Sequence, residues 1–151
     1  VRIRAGVILI KDDRIALIKR VKRGQTYYVI PGGGLDDGEY SDEAALREVY
    51  EELGIAVALE RLVAIVERVE WGEVSHLQLY YLAEKWRGVF GSGRGEEFER
   101  SHAENSYEPT WLSLDDLVDK RTYPSSLIDV IVKDGLPEAI LHLREPNDYP
   151  K

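Results

Sequence analysis

The sequence predicts an α/β protein of the α+β kind, a mixed β-sheet with helices packed against it. Three observations carry that expectation. Residues 7–10 form a near-continuous apolar run, residues 41–53 form one strongly amphipathic helical segment between β-rich stretches, and helical patterns return near the end. With 151 residues, no internal repeat and no low-complexity linker, residues 1–151 are expected to form one domain.

Residues 2–10 alternate and then become apolar (Val7, Ile8, Leu9, Ile10), as a central strand does when both its faces are covered. Lys11-Asp12-Asp13 is a turn signal, and residues 14–18 are the returning strand. Residues 26–30 make a short β run halted by Pro31 and by Gly32, Gly33 and Gly34. Ser41 is the expected N-cap of a helix, Asp42 and Glu43 suit its positive end, and Gly54 is the left-handed stop after Leu53. Residues 57–70 and 74–86 predict a long hairpin turning at Trp71-Gly72-Glu73. Residues 88–106, rich in glycine and charge, are expected to be a mobile loop. Residues 110–112 resume a strand, Ser113 caps a short helix through Val118, and residues 124–133 form the last helix.

Composition narrows the partners. Hydrophobic residues at 44% and charged residues at 32% describe an ordinary folded chain. No apolar stretch approaches the ~18 residues that span a bilayer, and residues 5–10 are too short for a signal-peptide core. No membrane partner is therefore expected, and the cytoplasm is the expected compartment. The absence of Cys excludes disulfides, thiolate zinc sites and Cys nucleophiles together. A formal charge of −8 repels polyanions, so extended nucleic acid is not an expected partner. A small phosphorylated ligand is compatible with that charge, because a divalent cation can sit between carboxylates and phosphate. Monomer and homodimer are both open.

At 100° per residue from position 44, Glu48, Glu52 and Glu51 fall at about 40°, 80° and 340°, on one arc of the helix. Leu46, Val49, Tyr50 and Leu53 fall on the opposite side and are the expected core stripe. An acidic helix face is commonly just solvated. Two details count against that here: Glu48 and Glu52 are like charges four apart, and all three lie towards the negative end of the helix dipole. A bound Mg²⁺ or Mn²⁺ would reverse both penalties, since hard cations prefer carboxylate and phosphate oxygen. The glycines in front of the helix could let a backbone approach a phosphate closely.

The spacing of these residues resembles the Nudix family box, G-x5-E-x7-R-E-U-x-E-E-x-G-U with U aliphatic. Gly33 is followed after five residues by Glu39, and after seven more by Arg47-Glu48-Val49-Tyr50-Glu51-Glu52-Leu53-Gly54-Ile55. All nine specified positions over 23 residues are filled. The resemblance implies a Nudix-like α/β/α sandwich with a mixed sheet and metal-dependent hydrolysis of a diphosphate linkage. It implies that Glu48, Glu51 and Glu52 bind Mg²⁺ or Mn²⁺, with a backbone carbonyl near Gly32 or Gly33 as a further ligand. Glu39 would brace the loop against the helix, and Arg47 would orient a ligand carboxylate.

The box does not fix the proton acceptor. Glu52 is one candidate, and the loop before Trp111 offers Glu96, Glu97, Glu99 and Glu104. Glu104 is favoured by its distance from that strand, with Glu108 second. Gly33 and Gly34 are candidate phosphate-binding positions, as are Arg20 and Lys22 from a local basic cluster. His76, His102 and His142 lack metal-ligand spacing and are assigned no role. The marks that similar ADP-ribose and dinucleoside polyphosphate hydrolases carry beyond the box are missing at Glu70-Trp71-Gly72, which leaves a nucleoside triphosphate or nucleotide sugar as the expected substrate. The alternative is a non-catalytic nucleotide-binding module acting as sensor or regulator. An isoprenoid-diphosphate isomerase would need a Cys that this chain lacks.

Overall fold

In the computed structural model, residues 1–93 and 104–147 are described. The elements run β1 (Arg2–Lys11), β2 (Arg14–Lys22), β3 (Gln25–Val29), β4 (Gly32–Gly34), α1 (Ser41–Leu53), β5 (Ile55–Glu70), β6 (Glu73–Gly88) and β7 (Asn105–Ser113). A 3₁₀ turn (Asp115–Asp119), β8 (Thr122–Tyr123), α2 (Ser125–Asp134) and β9 (Leu141–Glu145) follow. The strands are joined in the order β8-β3-β2-β1-β6-β5-β9, with β4 on β1 and β7 on β2. Parallel pairs (β1–β6, β5–β9, β3–β8) and antiparallel pairs make the sheet mixed, as the sequence predicts.

Two apolar clusters lie on opposite faces. Ala5, Val7 and Leu9 of β1 pack with Ala44, Ala45, Val49 and Leu53 of α1. Ile8 packs with Ile15, Leu17 and the α2 residues Leu127, Ile128 and Ile131. The layers are therefore helix, sheet, helix, and residues 5–9 are buried throughout because both faces of β1 are covered. Among the described residues no helix is long and apolar enough to cross a membrane.

The register of β1 creates the cleft. It bonds β2 only at the turn, at Ile10↔Ile15 and Lys11↔Arg14, while its Arg4–Gly6 stretch bonds the glycines of β4. The two strands thus share a hairpin turn but not their far ends, and the space between those ends is open to side chains from both.

Several elements differ from the sequence expectation. Tyr40, with extended backbone, is the N-cap, so Ser41 is the first helical residue; Glu43 accepts from the Tyr40 N–H at 3.0 Å, and Ser41 Oγ instead meets Tyr81 Oη at 2.6 Å. β7 begins at Asn105 and pairs with β2 along its whole length, well before the strand expected from Thr110. β9 has no counterpart in the expected elements. It brings Glu145 to the start of α2, where its carboxylate accepts from the Ser125 and Ser126 N–H groups at 2.7 and 3.0 Å. That carboxylate satisfies donors a helix N-terminus leaves open. Trp71 and Gly72 both have positive φ, the requirement of a two-residue hairpin turn, and form the turn expected there.

Candidate active site

The helix that carries the acidic residues is rotated from its expected orientation. Its buried residues are Ala44, Ala45, Glu48, Val49, Glu52 and Leu53, whereas Leu46 and Tyr50 of the expected core stripe are 41% and 64% exposed. Alanines 44 and 45 let α1 approach the sheet closely, so the buried arc centres on them and takes in Glu48 and Glu52. Two carboxylates on a core-facing arc need partners, because burying an unpaired charge is expensive.

Their partners are in place. Glu52 Oε2 accepts from the Gly32 N–H at 3.3 Å, and Glu48 Oε1 accepts from Arg47 Nη1 at 2.9 Å. Burial pushes the Glu48 carboxyl up against the pull of Arg47, and the nearby Glu51 adds to the rise. Both carboxylates line a cleft of about 230 Å³ together with Gly32, Gly33 and Gly34, Arg2, Arg4, Arg20 and Tyr107. Glu51 is different: its side chain is 38% exposed and faces Arg47 at 3.3 Å.

Arg47 ties this region together. Its guanidinium donates to Glu39 twice at 2.9 Å, to Glu48, to Glu51 and to the Gly34 carbonyl at 3.0 Å, and it lies 3.2 Å from Asp36. Glu39 in turn accepts from the Asp36 N–H at 3.0 Å, linking the loop before α1 to the helix. The Arg47 hydrogen bond holds the Glu39 carboxyl down at about 2, well below its ordinary value of 4.5. Arg47 is itself raised, chiefly by Glu39, and stays charged.

Gly32, Gly33 and Gly34 form a short strand rather than an open loop. None of the three has positive φ; closeness explains them. A Cβ on Gly32 would strike the Ala5 carbonyl, and one on Gly33 would lie 2.5 Å from the Glu48 carboxylate. The Gly32 carbonyl, expected as a further metal ligand, accepts a long bond from Arg4 at 3.4 Å.

Arg20 lies in the cleft, bonded to Asn105 Oδ1 at 2.7 Å, with its guanidinium 3.7 Å from the Tyr107 ring centre. Lys22 pairs with Gln25 and Asn105 at the hairpin end and does not line the cleft. Glu104 is exposed in front of β7, its carbonyl accepting from the Arg23 N–H at 3.0 Å, and it is not among the cleft residues. Glu108, on β7, lies opposite Lys19 of β2 and does not line the cleft. Glu96, Glu97, Glu99 and His102 lie outside the described residues.

The donor set suits a hard divalent cation. Among the described residues no three acidic or His side chains are gathered into a cage. Magnesium-type sites seldom need one, since they use one or two carboxylates, water and substrate phosphate. Glu48 and Glu52, buried side by side and open to the cleft, supply that number.

An α/β/α sandwich that buries two helix glutamates against a glycine strand, with arginines lining the same cleft, can hold a cation beside an anion. The chain belongs to the Nudix family: the NUDIX domain model matches residues 1–130. It is 34% identical over 71 residues to the "Putative 8-oxo-dGTP diphosphatase" of Bacillus subtilis (strain 168), covering 47% of this chain and 46% of that protein. It is 34% identical over 92 residues to diphosphoinositol polyphosphate phosphohydrolase 3-alpha of Mus musculus, covering 58% and 56%. The chain thus spans about half the length of the curated relatives it matches. The crystal structure of a MutT NUDIX hydrolase from Burkholderia pseudomallei superposes with a TM-score of 0.66 at 28% identity, over 87% of this chain and 95% of that one.

Arg2, Arg4 and Tyr107 are cleft residues that the sequence reading missed. Arg2 and Arg4 were separable only as a period-two pair at the start of β1. Nothing local marks which strand edge they face.

Proposed function

We propose that this protein hydrolyses a diphosphate linkage in a nucleoside diphosphate derivative, of nucleoside triphosphate or nucleotide sugar type, with Mg²⁺ or Mn²⁺. The observation that carries the proposal is the pair of buried carboxylates, Glu48 and Glu52, in one cleft that Arg2, Arg4 and Arg20 also line. The catalytically retired alternative is disfavoured by the same pair. A chain relieved of catalysis has no reason to keep two costly acids buried there.

Glu48 and Glu52, joined by Glu51 on the outer side, would hold the cation. The ion, when bound, neutralises phosphate oxygens and acidifies a water. Glu52 would accept the water's proton, in preference to Glu104, which is exposed and does not line the cleft. Arg47 keeps Glu48 in one rotamer, and Glu39 keeps Arg47 in place. The glycine strand would let backbone rather than side chain border the phosphates, and Arg20, which lines the same cleft, would offer them a cation.

Removing divalent metal with EDTA is expected to abolish turnover across a panel of nucleoside triphosphates, nucleotide sugars and dinucleoside polyphosphates. Added Mg²⁺ or Mn²⁺ should restore it for at least one of them. A panel with no metal-restored product would leave the binding-module reading in its place. Gly33→Ala should lower that turnover about 10–100-fold, the range for groups that orient a ligand, with little change in Tm. Its new Cβ meets a side chain that can move, Glu48, rather than backbone. Wild-type turnover in Gly33→Ala would show that the glycine does not position Glu48.

A further inference from the structure

A second cavity of about 310 Å³ adjoins the carboxylate cleft and shares Arg2, Arg4 and Arg20 with it. Its character follows from strand register. Parallel pairing of β1 with β6 sets Arg2 beside His76 and Arg4 beside Gln78, and antiparallel pairing of β5 with β6 sets Arg68 beside His76. Paired residues share a face of the sheet, so Arg2, His76 and Arg68 form one row and Arg4 and Gln78 the next. Among the described residues no acidic side chain lines this cavity, in a chain of formal charge −8, although Glu70 Oε1 lies 3.2 Å from Arg68 Nη2 at its edge.

The cavity also contains a polar group with no partner among the described residues. Gln78 is 4% exposed; its Oε1 accepts from Tyr80 Oη at 2.8 Å, while its buried Nε2 meets no acceptor among the described residues. A buried amide donor left open costs about 1–3 kcal/mol unless a ligand or water completes it. The arginine field is felt at His76, whose pKa is lowered by burial first and by Arg68 and Arg4 next.

A neutral base would need an open aromatic face. The cavity's tyrosines, Tyr27, Tyr80 and Tyr123, are each at most 5% exposed, and Tyr27 and Tyr123 are spent on each other, edge to face at 5.7 Å. What the wall presents outward is positive charge and N–H donors, the complement of phosphate oxygen.

We infer that this cavity is a second phosphate subsite, built from Arg2, Arg4, Arg20, Arg68, His76 and Gln78. The substrate of the adjoining carboxylate cleft therefore carries a further phosphate group beyond the diphosphate that is cleaved. The inference rests on the hydrolytic reading of that cleft for its meaning as substrate recognition, but the subsite itself is testable without turnover.

The probe is inorganic tripolyphosphate, titrated calorimetrically into the metal-free protein in EDTA at low salt. Saturable one-to-one binding is expected, weakened about tenfold in Arg68→Gln, the scale of one lost charge-assisted bond. Arg2→Gln, altered at the exposed start of β1, is expected to weaken binding in the same direction and covers the case that Arg68→Gln fails to fold. Glu52→Gln should bind tripolyphosphate at least as well as wild type, because it removes only negative charge. Absent binding in the wild type, or wild-type affinity in a folded Arg68→Gln and in Arg2→Gln, overturns the subsite whatever the turnover. No metal-restored turnover by wild type on any substrate of the panel, with normal tripolyphosphate binding, would instead overturn the hydrolytic reading and leave the subsite standing.

Discussion

Glu52→Gln is expected to lower turnover by more than about 100-fold while leaving the fold intact, a larger loss than residues that merely orient a ligand produce. The substitution keeps the size of the side chain and its ability to accept from the Gly32 N–H at 3.3 Å, so α1 retains its hold on β4. It removes a buried negative charge from a cleft that also contains Glu48. With no metal present, that removal relieves repulsion, and Tm should stay level or rise. Lower turnover together with equal or higher Tm is the signature of a site that gives up stability for function. Lost activity with a large drop in Tm would assign Glu52 a structural role instead.

Arg47→Gln should act in the opposite way on stability. One guanidinium serves Glu39, Glu48, Glu51 and the Gly34 carbonyl. Removing it leaves Glu48 buried without its charged partner, a loss of about 1–3 kcal/mol with turnover falling as Glu48 becomes mobile. Arg47→Lys should rescue little, because an ammonium cannot reproduce the planar fork that reaches both sides of the loop. The pH dependence has a definite sign. The Glu39 carboxyl is held at about 2 by Arg47, below its ordinary value of 4.5. Its contribution is therefore complete above the ordinary value and is lost as pH falls towards about 2. In Arg47→Gln the Glu39 carboxyl returns towards the ordinary range, and the acid limb of the unfolding profile loses this component. An identical acid limb in the two proteins would separate Glu39 from Arg47.

The sequence made much of this site legible because helix spacing is rigid. Glu48, Glu51 and Glu52 could be placed on one arc from 3.6 residues per turn alone. The orientation of that arc could not. Apolarity pointed the Leu46–Tyr50 side inward, but packing distance chose the alanine side, and so Glu48 and Glu52 are buried while Glu51 stays partly exposed. Local pattern likewise located β1, the β5–β6 hairpin and α2 to within a few residues. It missed β9, whose parallel partner β5 lies some 80 residues earlier by the register Ala64↔Leu141. It missed the role of Arg2 and Arg4 for the same reason: only the pairing of β1 with β4 and β6 brings them beside the glutamates and Gln78. The glycines of β4 were rightly singled out, but their role is close approach to Ala5 and Glu48, not a left-handed backbone.

On the proposed function, the buried glutamates of α1 hold a divalent cation against a diphosphate. Electron paramagnetic resonance of Mn²⁺ tests it most directly, titrating the ion into wild type and Glu52→Gln with and without a non-hydrolysable methylene-bridged nucleotide. Wild type should bind Mn²⁺ more tightly when the nucleotide is present, and Glu52→Gln should lose both the binding and the enhancement. Equal Mn²⁺ binding by the two proteins would contradict the account.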